Sequence, residues 1–412
     1  NNLQQCFEKF LMKICIIGGG TTGWWAAKYL EQKMPDANIT LYEDPKISPV
    51  GVGESTLPQI GVFLKECGLE EKLWMSKTNA IFKKGSHKKN WDKINGDACN
   101  FAFWYNDEYK FESWIKEYFK GNKTKNDLGL DLYKKDGFCE YAYHLDANLI
   151  GQVVKDQCKN VKHELIRLEG LPAGYDFYID ATGFKRKFTK DKTLIKFKDH
   201  LVNSCWAGNL QRKGEPYPYT KSIARNAGWT FGIDLTNRTG IGYVYSNNHI
   251  SKEEALDEFK SYYPEAYDIR NYVWEPGYLK NPWKDNVISI GNAGGFLDPL
   301  ESNNLFMIQL SITKIPDTIL KNYRPESYNR LLNRTWAHVS NYILHHYKLS
   351  NRTDTSFWKY YSKFNVKESI WQAYNFHGNK YTTIFPNSLW SNLALYYDEF
   401  TYYNQYKHSE VI

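Results

Sequence analysis

Seven residues in the second half of the chain, 298–304, combine an acid, a proline and an isolated glutamate, Glu301. They follow a run typical of a buried strand, 287–290, and the small-residue turn 291–295 (Gly-Asn-Ala-Gly-Gly). A strand that leads into a glycine-rich turn brings backbone amides to the edge of a sheet where ligands bind. This segment is therefore predicted to hold a ligand.

A second glycine-rich turn lies near the other end of the chain. Gly18, Gly20 and Gly23 form a G-x-G-x-x-G string between a predicted strand, 13–17, and a helix predicted over 22–33. Such a string alone is a weak signal. Here a second predicted strand, 38–42, completes a β-α-β unit, which is the setting of a dinucleotide-binding turn.

Each glycine has a separate purpose in such a turn. Gly18 permits the sharp turn, Gly20 lets backbone amides approach a pyrophosphate, and Gly23 allows the helix to pack closely on the sheet. Free N–H groups at the helix start, where Thr22 lies, favour phosphate. Glu43, about 20 residues after the last glycine, is predicted to accept hydrogen bonds from ribose hydroxyls.

Composition limits the other possibilities. The net charge of +7 over 412 residues is small and the lysines are scattered, which argues against nucleic-acid binding. The 7 cysteines form no CxxC pair, so neither a disulfide framework nor a metal site is expected. A reducing compartment, the cytoplasm, is predicted, because no apolar run is long enough for a membrane span and no signal peptide is recognised.

The pattern predicts an α/β fold built on a doubly wound sheet. Residues 175–183 and 287–295 supply further strands with small-residue turns, and 206–245 is rich in β pattern. We predict a cofactor-binding core over 12–310, with a second sheet inserted at about 195–250, and a helical, aromatic-rich region over 311–412. Five aromatic residues of that region could line a pocket, although core packing explains each equally well: Trp358, Trp371, Tyr374, Phe376 and Trp390.

Two ligand-binding turns this far apart suggest one large cofactor. A simple nicotinamide enzyme does not need a second turn late in the chain, whereas FAD extends beyond its first phosphate site. FAD is therefore predicted. Gly291 and Asn292 would contact its ribityl chain, and the segment around Asp298 and Leu300 would face its ring system.

The chain resembles the flavin-dependent halogenases, the group best known from tryptophan halogenases, over roughly residues 12–310. Beyond residue 310 the resemblance thins to fragments such as Phe385-Pro386 with Trp390. The matching strings are 18–23 (GGGTTG), 51–58 (GVGESTLP), 82–85 (FKKG) with Asn90-Trp91, 143–147 (YHLDA), 228–246 beginning Gly-Trp, and 291–302.

The resemblance implies a chemistry and a set of roles. Reduced FAD and oxygen would oxidise a halide to hypohalous acid, which passes to Lys83 beside the substrate. The lysine either hydrogen-bonds the acid or becomes a haloamine. Glu301 would assist, since a carboxylate can take the proton that electrophilic substitution releases. The string at 51–58 would add four cofactor contacts: Gly53, Glu54, Ser55 and Thr56.

Two departures from the family pattern bear on function. Trp229, Phe231 and Ile233 stand where the family has W-x-W-x-I, the barrier between flavin and substrate; Phe still fills space there. The halide site, Ser302 with Asn303 and Asn304, replaces Ser-Thr-Gly. Asn304 reaches positive φ less easily than glycine, so a looser site that favours bromide or iodide over chloride is expected.

Several residues have plain structural interpretations beside the functional ones. Lys83 read alone is a solvated lysine, and Glu301 could cap the helix that follows. Lys84 is a rival for the lysine role, although it lies one position off the family string. His87 and Lys88 are predicted to be solvated, and His144 to be structural.

The leading interpretation is an FADH2-dependent halogenase for an electron-rich aromatic small molecule other than free tryptophan. It would need a separate NAD(P)H flavin reductase, because no second nucleotide string is found. A single-component FAD aromatic hydroxylase and a flavin-binding protein without turnover remain alternatives, and homo-oligomerisation is left open.

Overall fold

The computed structural model describes residues 11–47, 53–96, 98–103, 141–321 and 324–364. Its strands, numbered in chain order, are β1 (Lys13–Ile17), β2 (Asn38–Glu43), β3 (Gly53–Ser55), β4 (Ile81–Lys83), β5 (Gly85–Lys89), β6 (Cys99–Ala102), β7 (Ala142–Asp146), β8 (Val161–Leu165), β9 (Phe177–Asp180), β10 (Leu194–Lys196), β11 (Ser204–Gln211), β12 (Tyr219–Arg225), β13 (Gly228–Asp234), β14 (Arg238–Tyr245), β15 (Tyr267–Val273), β16 (Gly277–Leu279), β17 (Trp283–Lys284), β18 (Val287–Ser289) and β19 (Gly295–Phe296). The helices are α1 (Thr21–Lys33), α2 (Gln59–Glu66), α3 (Glu71–Met75), α4 (Ala147–Gln157), α5 (Lys252–Tyr262), α6 (Asn303–Leu320), α7 (Pro325–Lys348) and α8 (Ser356–Tyr361).

The first sheet has six strands in the order β17-β18-β9-β1-β2-β8. All neighbours in it are parallel except β17 and β18. Its central strand is buried on both faces, with Ile14, Cys15 and Ile16 fully buried, which is why the sequence reads as a continuous apolar run. The predicted β-α-β unit at residues 13–43 is confirmed.

The second sheet has seven strands in the order β15-β11-β14-β13-β12-β5-β6. The β-rich segment at 206–245 is confirmed, but the sheet reaches beyond the predicted 195–250. β15 adds one edge, and β5, which runs parallel to β12, adds the other. This parallel pairing matters for the site, because it joins the strand after Lys83 to the sheet.

Within the described residues, three helices follow β19. Residue 310 lies inside the continuous helix α6, so the division into a core and a C-terminal region stays a prediction about folding units. Trp358 is fully buried, and its indole N–H donates to the Arg225 carbonyl at 2.8 Å. The other four aromatic residues predicted to line a pocket lie outside the described residues.

The described residues contain neither a candidate membrane span nor a candidate metal cluster. No helix there combines the length and apolar character needed to cross a membrane. Within the same residues, no group of three or more His, Cys, Asp or Glu is arranged to hold a metal ion.

Candidate functional site

The first glycine-rich turn has the geometry that its sequence predicts. Gly18 has φ 123°, and a Cβ there would overlap the Ala181 carbonyl. A Cβ on Gly23 would overlap the Gly18 carbonyl, so this glycine lets α1 approach the turn. Gly20 differs from both, because a Cβ there would meet nothing within 4 Å. Its surroundings are open space at the start of a helix.

That helix start is suited to an anion. Gly20 is the N-cap of α1 and supplies no side-chain cap, and the first turn carries no acid. Its amides are therefore available for phosphate. Glu43 lies against Gly19, and its carboxylate accepts from His163 Nε2 at 2.8 Å with Lys155 Nζ at 3.7 Å.

The two glycine-rich turns meet in space. Gly291 has φ 61°, and a Cβ there would lie 2.8 Å from the Thr22 side chain at the start of α1. Both turns follow strands β1 and β18, which pair with opposite sides of β9. The half-buried Asn292 belongs to the short helical turn Gly291–Ala293. The predicted cofactor residues of the two glycine-rich turns therefore lie at the same edge of the first sheet.

Lys83 is fully buried at the end of β4. Its Nζ donates to the Thr56 carbonyl at 2.9 Å and to Ser302 Oγ at 3.3 Å. Burial lowers the pKa of Lys83 to about 7, the Glu301 charge opposes this shift, and Lys88 adds to it. The interpretation as a solvated lysine is wrong, and a neutral amine is accessible near neutral pH.

Glu301 has a left-handed backbone, with φ 64° and ψ 16°. Its Oε1 forms an ion pair with Lys88 Nζ and lies 3.7 Å from His346 Nε2. Its Oε2 accepts from Ser86 Oγ at 3.3 Å. The carboxylate is directed toward β5 and does not cap helix α6, whose N-cap is Ser302 without a side-chain cap bond.

Lys88 corrects a sequence-based expectation. It is fully buried, and its ammonium lies 5.4 Å from the ring centroids of both Trp91 and Phe101. The alternation of side chains along β5 could have revealed it, because Ser86 and Lys88 lie on one face of the strand and are buried, whereas the next residue, Lys89, is exposed. His87 is half-buried and bonds to Asn100 at 2.7 Å, so it is not simply solvated either.

The Lys88–Glu301 pair should matter for stability. Lys88→Met would leave a buried carboxylate without its countercharge, so the free energy of unfolding should fall by about 3–5 kcal/mol. Urea denaturation would measure it. Adding Glu301→Gln should recover most of the loss. The matched control is the exposed pair Lys213–Glu265 at 2.8 Å, where Lys213→Met should cost less than about 1 kcal/mol. Equal effects in the two pairs would contradict this account of Lys88.

The barrier residues Trp229, Phe231 and Ile233 alternate along β13 and are all buried. Trp229 Nε1 donates to Asp298 Oδ1 at 3.2 Å, and Ile233 packs beside Gly53. This row of three side chains therefore extends from Asp298 at one end to Gly53 at the other, and both of these residues are predicted to contact the cofactor. Phe231 fits because β14 has no side chain at the position opposite, Gly242.

Asp298 is the buried polar centre of its loop. It accepts from the Leu300 amide at 3.0 Å and from the Tyr347 hydroxyl, in addition to Trp229. Burial raises its pKa to about 6 despite these donors. Tyr347, on α7, was not expected from the sequence.

The predicted halide residues begin helix α6. Ser302 has φ 59°, whereas Asn303 has φ −67° and Asn304 is not among the positive-φ residues. Asn304 therefore adopts no positive φ here, and its smaller backbone freedom relative to glycine gives no reason to expect a looser halide site. The Nδ2 of Asn304 is buried and has no hydrogen-bond partner among the described residues.

The remaining string residues converge on Lys83. Ser55 Oγ accepts from Ser302 Oγ at 2.8 Å, which joins the string at 53–56 to the Glu301 segment. Thr56 Oγ1 donates to the Tyr143 carbonyl at 2.8 Å. Burial raises the pKa of Glu54 to about 7, and Asp146 adds to the shift.

The sequence of this chain is similar to those of known proteins. The sequence matches the family model for tryptophan halogenase over residues 13–400. It is 28% identical to tryptophan 7-halogenase RebH of Lentzea aerocolonigenes, covering 84% of this chain and 78% of the relative. It is 27% identical to tryptophan 6-halogenase SttH of Streptomyces toxytricini, covering 84% and 80%.

Solved structures agree with the sequence comparison. Xcc4156, a flavin-dependent halogenase from Xanthomonas campestris, superposes with a TM-score of 0.83 and 25% identity, covering 94% of this chain and 89% of that one. Because the family model extends to residue 400, the resemblance does not stop near residue 310. The chain belongs to the tryptophan halogenase family.

Proposed function

We propose that this protein catalyses FADH2- and O2-dependent halogenation of an electron-rich aromatic small molecule. The observation that carries the proposal is the fully buried Lys83, whose amine donates to the Thr56 carbonyl and to Ser302. Glu301 directly precedes Ser302 in the sequence. A lysine in such surroundings can be neutral or charged near pH 7, as halogen transfer requires. Membership of the tryptophan halogenase family supports the same chemistry.

The residues present fit FAD. Gly20 leaves open space beside free helix amides, and Gly291 approaches the same helix start. We propose that this region holds the pyrophosphate and that Glu43 accepts from the adenosine ribose. Asn292 and the Asp298–Leu300 loop would contact the remainder of the cofactor. When bound, reduced FAD supplies the two-electron chemistry with oxygen that oxidises a halide.

The halogen would then travel to Lys83, on the other side of the barrier row. Trp229 is fixed by its hydrogen bond to Asp298, so the row keeps the aromatic substrate away from the flavin. Glu301 would accept the proton released on substitution. Lys88 and Ser86 donate to this carboxylate, and His346 Nε2 lies 3.7 Å from it, so Glu301 is held between β5 and α7.

The halide proposal rests on Asn304. Asn304→Leu should raise the KM for halide by roughly 10- to 100-fold, since a hydrogen bond to a charged group contributes about 1.5–3 kcal/mol. The amide N–H without a partner is the donor that would be lost. Asn304→Asp, which introduces a negative charge, should raise the KM further while FAD affinity stays unchanged. An unchanged KM in both variants would show that the halide is held elsewhere.

One assay separates the leading proposal from its alternatives. The protein is supplied with a flavin reductase, NADH, FAD, oxygen and bromide, together with a panel of indoles and phenols. Brominated product without hydroxylation supports the proposal. Hydroxylated product, formed with NADH and no reductase, would favour a single-component hydroxylase, and no product with normal FAD binding would favour a protein without turnover.

The proposal extends to the substrate, the halide and the cellular compartment. The named relatives act on tryptophan, whereas we propose an aromatic substrate other than the free amino acid. Chloride, bromide and iodide remain to be compared at equal concentration. A reducing compartment is supported by the unpaired Cys15, Cys67, Cys158 and Cys205.

A further inference from the structure

A continuous chain of hydrogen bonds leads away from Lys83. Its Nζ lies 3.3 Å from Ser302 Oγ, which lies 2.8 Å from Ser55 Oγ. Ser55 Oγ lies 2.6 Å from Thr220 Oγ1, and Thr220 Oγ1 lies 2.9 Å from His144 Nε2. The hydrogen bonds join five segments, from β4 through the Glu301 turn, β3 and β12 to β7.

The far end of the chain fixes its direction. His144 Nδ1 lies 3.1 Å from the backbone carbonyl of Asp234, which can only accept, so Nδ1 carries the hydrogen. His144 is fully buried, and burial lowers its pKa to about 3, so the ring is neutral and Nε2 is an acceptor. Thr220 must therefore donate to His144.

Each remaining hydroxyl then has one role. Ser55 donates to Thr220, and Ser302 donates to Ser55. Because the Ser302 hydroxyl has spent its one hydrogen, it must accept from Lys83. The second partner of Lys83, the Thr56 carbonyl, is also an acceptor. A neutral amine has two N–H groups and one lone pair. Both N–H groups are used by these partners, and the lone pair is left for a reagent.

We propose that His144 is a positioning residue for halogen transfer, because its tautomer sets the direction of the hydroxyl chain that keeps the Lys83 lone pair available. This inference rests on the proposed function. The step it favours is attack of the Lys83 amine on hypohalous acid supplied by the flavin reaction. The N–halogen bond forms, the O–halogen bond breaks with its electron pair going to oxygen, and the departing hydroxide takes the proton from nitrogen to give water.

The test interrupts the chain at Thr220. In Thr220→Val the Ser55 hydroxyl loses its acceptor and can turn toward Ser302, which can then donate to the Lys83 lone pair. Thr220→Ser keeps the hydroxyl and is the matched control. Thr220→Ala removes the same hydroxyl with a smaller side chain and serves as the second variant if Thr220→Val folds poorly.

The measured quantity is the coupling ratio, the halogenated product formed per hypohalous acid generated, as a function of pH. Hypohalous acid is measured with a freely diffusing β-diketone trap. The charged or titratable groups that face Lys83 are Glu301, Lys88 and His144. The ratio in the unaltered protein should rise as pH passes about 7, where Lys83 loses its proton.

The expected defect is specific to high pH. Protonated Lys83 has no lone pair, so Thr220→Val should match the unaltered protein below the pKa of Lys83 and be roughly tenfold lower above it. Thr220→Ser should restore the ratio. An equal loss at every pH, or a loss of hypohalous acid itself, would overturn the inference. If Thr220→Val is normal while Lys83→Ala is inactive, His144 has no such role but the proposed function stands; an active Lys83→Ala would overturn the proposed function.

Discussion

Replacing Lys83 by alanine should lower halogenation by on the order of 10²–10⁴-fold, the range for loss of a positioned group that transfers protons. In the proposed function the buried Lys83 amine delivers the halogen and makes no contact with FAD, so its loss should stop delivery alone. Formation of hypohalous acid, measured with the β-diketone trap, and FAD affinity should both stay unchanged.

Two controls accompany this variant. Lys83→Met keeps most of the side-chain volume, so an equal loss of activity in it would exclude a cavity as the cause. Lys84→Ala changes the rival lysine and should keep activity. Full activity in Lys83→Ala would refute the assignment, and weaker FAD binding would place this lysine at the cofactor.

Gly20→Val should abolish FAD binding in a protein that still folds. A Cβ at Gly20 meets nothing within 4 Å, so the apoprotein tolerates it, whereas the branched side chain would occupy the space proposed for the pyrophosphate. Flavin fluorescence titration would measure the affinity, and the thermal unfolding midpoint of the apoprotein would confirm that it folds.

The neighbouring glycine provides the contrast. Gly23→Val should destabilise the fold itself, because its Cβ would overlap the Gly18 carbonyl. Glu43→Ala should weaken FAD by only about 1–3 kcal/mol, the cost of an unpaired buried polar group. Unchanged FAD affinity in Gly20→Val would remove the dinucleotide-binding interpretation altogether.

The sequence predicted the elements that depend on short-range pattern. The first β-α-β unit has a strand that is apolar from Ile14 to Ile17, a glycine-rich turn and a helix with apolar residues at helical spacing, so its bounds were nearly right. The helix that begins at Thr21 was placed one residue late. The position of residues 85–102 at the edge of the second sheet could not be found this way, because parallel pairing of β5 with β12 joins segments more than a hundred residues apart.

The candidate site shows the same limit. The roles proposed for Lys83 and Glu301 come from the resemblance alone, since neither residue has a local pattern that assigns it those roles. Lys88 was missed because a buried lysine is rare unless it is paired, and its partner Glu301 lies far away in sequence. The chain from Lys83 to His144 depends on contacts among five segments and on the tautomer of one ring, which no spacing encodes.

The adjacent left-handed residues Glu301 and Ser302 have a consequence for engineering this enzyme. Each non-glycine residue with this backbone costs about 1–2 kcal/mol, so a selection for heat resistance would favour glycine at position 302. That exchange would remove the hydroxyl that Lys83 contacts. At position 301 it would remove the countercharge of Lys88. Thermal stability and turnover therefore compete at position 302, whereas at position 301 the lost ion pair would cost more stability than the relieved strain returns. A more robust catalyst must be sought by substitutions elsewhere in the molecule.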